Sequence, residues 1–236
     1  MILDMMNAHD DLDKEEEISD PNAVPLPVTA LILCGGRSKR MGRPKAFLPY
    51  EGSTMISHVI KSIGGLFRET LLVSNEPEAF EDLGMDVVKD ILPYRGPMGG
   101  ILSGLLVARY PHVFVIACDM PLVNESLVLP LAAMRHERDV VVISHDNGIE
   151  PLLGFYSKNC IKPLEESLFA GTLSIKDLLG ELSCTTHRVK GNGNGNSYGE
   201  LPAFFNVNTP KDYSRLITKA GAVLPHGSVF DSDSDS

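Results

Sequence analysis

Several features that would narrow the function of this chain are missing from it. No run of apolar residues approaches the roughly 20 needed to span a bilayer as a helix. The first residues are acidic and lack the basic start and apolar core of a secretory signal, so export is not expected. The four cysteines, Cys34, Cys118, Cys160 and Cys184, show no C-x-x-C spacing. They read as reduced, packed thiols of a cytoplasmic protein rather than as a disulfide framework or a zinc site. His58, His112, His136 and His187 likewise lack metal spacing and read as surface or packing residues. There is also no excess of basic residues, which argues against a nucleic-acid surface.

The chain's charge is concentrated at its ends. The formal net charge is -10 over 236 residues. Residues 1–20 hold eight acids and one base, and Asp231, Asp233 and Asp235 lie in the final DSDSDS. Residues 21–230 carry 20 acids and 20 bases, so the body is close to neutral. Residues 1–27 are expected to form a disordered acidic leader and residues 221–236 a flexible acidic tail. Pro21, Pro25 and Pro27 make a stiff entry to the first strand. The chain as a whole is 43% hydrophobic and 22% charged, which fits one domain with a substantial core, expected at residues 28–220.

Within that body, short apolar runs alternate with helical patterns. Strands are expected at residues 28–33, 70–73, 86–89, 113–117, 140–143 and 152–156. Helices are expected at 54–67 with Thr54 as cap, at 77–83 and 99–110, from Asn124 to about 136, and at 161–168 and 174–179. Alternation of this kind predicts an α/β fold with a mostly parallel central sheet and helices on both faces. The GNGNGN run at 191–196 reads as a loop or hairpin tip, because no cation or strand–helix context accompanies it.

The most informative stretch is LILCGGRSKRMGRPKAFLPY, residues 31–50. An apolar strand breaks into Gly35-Gly36, and Arg37, Lys39, Arg40, Arg43 and Lys45 follow within nine residues of the pair. Glycines let backbone N–H groups close on a phosphate, and the cations neutralise charge that amides cannot. Neither a Walker loop nor G-x-G-x-x-G is present. Further candidate residues also fall at strand ends, Ser74-Asn75 after the second strand, Asp90 after the third and Asp119 after the fourth. In an open α/β sheet these ends converge on one ligand crevice. Asp119, delivered by VFVIACDMPL, suits Mg²⁺, which takes one or two carboxylates together with phosphate oxygens and water.

The pattern L-x-G-G-x-S-x-R-M-G-x-x-K resembles the signature of nucleotidyltransferases with a three-layer Rossmann-like fold. Its Gly-Gly pair is most similar to the molybdenum cofactor guanylyltransferase family. C-D-M-P-L around Asp119, D-I-L-P-Y-R-G-P from Asp90 and N-V-N-T-P from Asn206 extend the likeness over residues 28–218. Departures are small: Cys34 stands where Ala is usual, and the GNGNGN loop and both acidic tails are additions.

The resemblance implies transfer of GMP from GTP to a molybdenum–molybdopterin cofactor, with release of pyrophosphate. It implies Arg40, Lys45 and Asp119 as catalytic, with Mg²⁺ on Asp119. Leu33, Cys34, Gly35, Gly36, Lys45, Asn75, Asp90, Gly96 and Asp119 would contact nucleotide, and Asn206 and Asn208 would face the second substrate. Molybdenum-insertion proteins and recipient molybdoenzymes are the implied partners. Two readings stay open for Asp90, nucleotide contact or loop ordering. Glu150 could equally order a strand or touch a pterin. Thr209 is expected to cap the helix that begins at Pro210. Cytidylyl or uridylyl transfer to another cofactor or a sugar 1-phosphate is the alternative activity. A non-catalytic nucleotide binder and an acidic scaffold are the alternatives of other classes.

Overall fold

The computed structural model describes residues 25–35, 44–172, 174–190 and 201–220. Its centre is a seven-stranded sheet built from β1 (Leu26–Leu33), β4 (Phe67–Ser74), β5 (Asp86–Lys89), β6 (His112–Ala117), β7 (Val140–His145), β8 (Gly148–Ser157) and β9 (Cys184–Arg188). The spatial order is β5-β4-β1-β6-β8-β7-β9. β5, β4, β1 and β6 pair in parallel; β8 is antiparallel to both β6 and β7, and β9 is parallel to β7. β8 is therefore the one strand that runs against the others. The α-helices among the described residues are α1 (Met55–Ile63), α2 (Pro97–Val107), α3 (Glu125–Ala133), α4 (Ile161–Phe169), α5 (Ile175–Glu181) and α6 (Pro210–Lys219).

Alternation along the strands divides the core into two layers. Val28, Ala30 and Ile32 of β1 pack with Ile56, Val59 and Ile63 of α1 and with Leu127, Val128 and Leu131 of α3. Leu31 and Leu33 face the other way, against Ile101, Leu102 and Leu105 of α2, in a layer that also holds Leu164 of α4 and Leu178 of α5. Burial on both faces explains why the inner strands read as continuous apolar runs. A smaller cluster joins Tyr213, Leu216 and Ile217 of α6 to Leu48, Tyr50 and Phe205. It secures the C-terminal segment beside a short hairpin, β2 (Pro49–Tyr50) and β3 (Ser53–Thr54).

The expected boundaries hold at Asp86–Lys89 and at Thr54, whose side chain accepts the Ser57 N–H. Others shift for physical reasons. α1 stops at Ile63, and Phe67 begins β4, because Gly64 and Gly65 break the helix while the apolar pattern continues beyond them. α2 starts at Pro97, two residues earlier than expected, since proline is favoured in a first turn. Residues 77–83 form 3₁₀ rather than α turns. α3 ends at Ala133, well before 136. The GNGNGN run and both acidic tails lie outside the described residues. None of the described helices is long and apolar enough to cross a membrane.

Candidate active site

The parallel strands deliver their C-terminal ends to one edge of the sheet, and backbone pairing carries past each end. Cys34 N–H donates to Val73 O at 2.8 Å, Cys118 N–H to Leu33 O at 3.1 Å, and Asp90 N–H to Ser74 O at 3.0 Å. These continuations hold the functional positions rigidly at the mouth of a cavity of about 1030 Å³. Leu33, Cys34, Gly35, Lys45, Asn75, Asp90, Gly96, Asp119, Asn206 and Asn208 all line it. Gly36 and Arg40 lie outside the described residues. Every other expected site residue is thus brought to one cleft.

Lys45 is the hub of the polar half. Its Nζ donates to Asp119 Oδ2 at 3.2 Å and to Asn208 Oδ1 at 2.8 Å. The pair is partly screened from water, with 19% of the Lys45 side chain and 14% of the Asp119 side chain exposed. Burial pushes the Asp119 carboxyl above its usual range; Lys45 pulls it back, and the nearby Glu150 charge adds a smaller upward push. Val207 N–H donates to Asp119 O at 3.0 Å, which fixes the 204–208 segment to the end of β6.

Among the described residues, three buried side-chain oxygens accept no hydrogen bond: Asn75 Oδ1, Asp119 Oδ1 and Asn206 Oδ1. All three belong to residues lining the cleft. Buried polar atoms are nearly always satisfied, so three orphans in one cavity mark a surface shaped for a ligand. Asp119 Oδ1, an ionisable oxygen with its partner oxygen held by Lys45, has the chemistry of a hard-cation ligand. Among the described residues no group of three or more His, Cys, Asp or Glu could hold a metal alone. A cation here would therefore rely on Asp119 and on oxygens supplied by substrate and water.

Asp90 has a different character. It is 6% exposed, and its Oδ1 accepts from Leu92 N–H at 3.0 Å and from the Ser103 hydroxyl at 3.1 Å. The Ser103 oxygen in turn accepts the Ile91 N–H at 3.0 Å. Burial raises the carboxyl pKa, while these two donors lower it. Asp90 thus ties the loop 91–96 to α2. A Cβ on Gly99 would lie 3.1 Å and 3.2 Å from the two Asp90 carboxylate oxygens, a tight fit that would press on the carboxylate. Gly96, at φ 70° and ψ -163°, aims the chain into the helix in a conformation open to glycine. The loop-ordering reading of Asp90 is what these bonds carry out, and the loop lines the cleft through Tyr94 and Gly96.

Thr209 caps α6 as expected. Its hydroxyl accepts the Asp212 N–H, and Asp212 Oδ2 accepts the Asn208 and Thr209 N–H groups at 3.1 Å and 2.8 Å. The cap therefore also orients Asn208. Sequence reasoning missed the wall formed by Phe47 and Phe80, whose ring centroids lie 5.1 Å apart with the planes tilted by 33°, because the partners come from separate elements. It also missed His145, which donates to Glu150 at 2.9 Å; only its place five residues before Glu150, across a turn, hinted at the pairing.

Comparison with known proteins agrees with this geometry. Residues 30–186 match the family described as the MobA-like NTP transferase domain. A protein named probable molybdenum cofactor guanylyltransferase from Clostridium perfringens is 32% identical over 81% of this chain and 96% of its own length. One of the same name from Pelotomaculum thermopropionicum is 36% identical over 79% of this chain and 90% of its own. The crystal structure of molybdopterin-guanine dinucleotide biosynthesis protein A from Archaeoglobus fulgidus superposes with a TM-score of 0.69 at 25% identity, covering 82% of this chain and 99% of that one. The fold, the strand-end cleft and these likenesses agree, and the chain belongs to the MobA-like NTP transferase family.

Proposed function

We propose that the protein transfers GMP from GTP to the terminal phosphate of a molybdenum–molybdopterin cofactor, releasing pyrophosphate and forming a guanine dinucleotide. The likeness to guanylyltransferases over about four-fifths of the chain supports the substrates. The observation that carries the chemistry is Lys45, fixed between Asp119 Oδ2 and Asn208 Oδ1 while the buried Asp119 Oδ1 has no hydrogen-bond partner among the described residues.

In this reading an oxygen of the acceptor phosphate attacks the α-phosphorus of GTP. The new P–O bond forms as the bond to the β-phosphate oxygen breaks, and pyrophosphate leaves with that electron pair. A phosphate is already an anion, so no protein nucleophile or strong base is needed; positioning and charge stabilisation do the work. Lys45 neutralises charge that builds on the α-phosphate oxygens, and Asn208 keeps its ammonium aimed into the cleft. Arg40 and the glycine-loop amides hold the β- and γ-phosphates. Leu33, Cys34, Gly35, Asn75 and Gly96 line the nucleotide half; Asn206 and Asn208 border the acceptor half. Asp119 is the residue that would hold Mg²⁺, and the ion would supply positive charge to offset that of the phosphates. The four free thiols fit a reducing compartment, and we place the reaction in the cytoplasm.

Thermal stabilisation by GTP, CTP, UTP and ATP, each with and without Mg²⁺, tests the reading. A ligand that binds only the folded state adds about 2.7 kcal/mol at 100 times its dissociation constant. A magnesium-dependent shift selective for GTP is expected, followed by pyrophosphate release when molybdopterin is added. Preference for CTP or UTP would overturn the guanylyl assignment, and binding without pyrophosphate release would overturn catalysis.

A further inference from the structure

His145 and Glu150 form a rigid pair to which the chemistry above gives no part. His145 ends β7 and is buried, with 5% of its side chain exposed. Its Nδ1 accepts the Asn147 N–H at 3.2 Å, so the proton of the neutral ring sits on Nε2 and is donated to Glu150 Oε1 at 2.9 Å. Phe204 stacks on the ring at 5.0 Å, with 28° between the planes. Two hydrogen bonds and a stacked ring therefore fix where the Glu150 carboxylate points. That carboxylate is 23% exposed, and among the described residues its Oε2 accepts no hydrogen bond.

The position of the pair follows from the antiparallel run of β8. Leu153 pairs with Ile116, so the start of β8, which carries Glu150, lies beside the end of β6, which leads to Asp119. Phe204 opens the segment that contains Asn206, whose buried Oδ1 has no partner, and Asn208, which holds Lys45. Glu150 lies just outside the lining of the cleft, two residues before Leu152, which lines it, and the Phe204–His145 stack sets the pair beside the segment that carries Asn206. Asn75 and Gly96 belong to the opposite side, at the ends of β4 and at the start of α2.

We propose that Glu150, held by His145, recognises the acceptor by accepting hydrogen bonds from N–H donors of its reduced pterin. The proposal rests on the guanylyl-transfer reading. A second carboxylate near the phosphates would repel them, so it must meet a part of a ligand that donates hydrogen bonds. A carboxylate is an acceptor with two oxygens, and a 2-amino-4-oxopyrimidine edge offers an amino group and a ring N–H side by side. Guanine and pterin share that edge. The place of Glu150 beside the 204–208 segment, reached through the His145–Phe204 stack, assigns it to the pterin. His145 is a positioning residue: it touches the carboxylate, not the substrate.

Steady-state kinetics of the full chain, wild type against Glu150→Gln and His145→Gln, with GTP and molybdenum–molybdopterin varied in turn, test this. Glu150→Gln should raise the KM for the acceptor roughly 10- to 100-fold, the loss expected for hydrogen bonds to a charged group. The KM for GTP and the stabilisation by GTP should stay unchanged. His145→Gln should raise the acceptor KM by a smaller factor. A pterin monophosphate should inhibit the wild type at least about tenfold better than the lumazine monophosphate, which lacks the 2-amino group, and Glu150→Gln should bind both alike. An acceptor KM that stays unchanged in Glu150→Gln while the preference for GTP over ITP disappears would move the carboxylate to guanine and overturn the proposal. Unchanged values for both substrates, with only a lower Tm, would reduce the pair to a hairpin brace. Absence of dinucleotide product from the wild type itself would show that the guanylyl reading had failed first.

Discussion

Lys45 Nζ lies 3.2 Å from Asp119 Oδ2 across 74 residues of chain, so the loop after β1 and the end of β6 are joined by one ion pair within the cleft. If this ammonium stabilises charge built up in the transition state, Lys45→Ala should lower kcat by about 10²–10³, the size found when one preorganised donor is removed. GTP affinity should change far less. Parallel measurement of kcat and the dissociation constant for GTP decides the matter; equal losses in both would mean that Lys45 only holds substrate.

Asp119 predicts an effect opposite to the usual expectation for breaking an ion pair. Burial raises its carboxyl pKa by more than Lys45 lowers it, so the ionised form is penalised in the folded, metal-free protein. The sign follows from linkage. A folded pKa above the unfolded one gives a contribution that is complete below the usual 3.8 and is lost as pH rises through the folded value. Asp119→Asn should therefore gain stability relative to wild type between acid and neutral pH when no metal is present. The same variant should lose the additional stabilisation that Mg²⁺ gives with GTP. Denaturant unfolding at several pH values, with and without GTP and Mg²⁺, measures both signs.

Gly99 and Asp90 should behave as one unit. A Cβ on Gly99 would meet Leu92 O at 3.0 Å as well as both oxygens of Asp90, so Gly99→Ala should displace the carboxylate and cost about 1–3 kcal/mol. Asp90→Ala frees the same loop by removing the acceptor of the Leu92 and Ser103 bonds. Because both changes act through one carboxylate, the double variant should be little worse than the more damaging single one. A double-mutant cycle from urea unfolding checks this; additive losses would mean that the two positions act separately.

What could be read in the sequence depended on whether a signal was local. The strand leading to Gly35, the capping Thr54 and Thr209 and the strand leading to Asp119 carry their signals within a few residues, and each lies where expected. β9 was not anticipated because CTTHR is half-buried and adds to the sheet only by pairing with distant β7. The β2–β3 hairpin escaped for a similar reason. Its turn places Glu51 at φ 45° and Gly52 at φ 77°, a conformation that asparagine or aspartate before the glycine would have signalled. The double hold of Asn208 and Asp119 on Lys45 was also invisible, because three separate segments meet there only after folding.

That convergence gives α6 a measurable link to catalysis. Asp212 Oδ2 receives the Asn208 and Thr209 N–H groups, and the Thr209 hydroxyl receives the Asp212 N–H, so one capping box both starts the helix and sets the residue that holds Lys45. Thr209→Ala removes the acceptor and should cost about 0.5–2 kcal/mol of stability. It should also lower kcat, by less than Lys45→Ala does, since Asn208 keeps its side chain but loses its fixed aim. Thr209→Ser keeps the hydroxyl and should restore most of both. Unfolding and steady-state rates measured on the three proteins separate the effects: a stability loss with unchanged kcat would show that Asn208 holds its position without the cap.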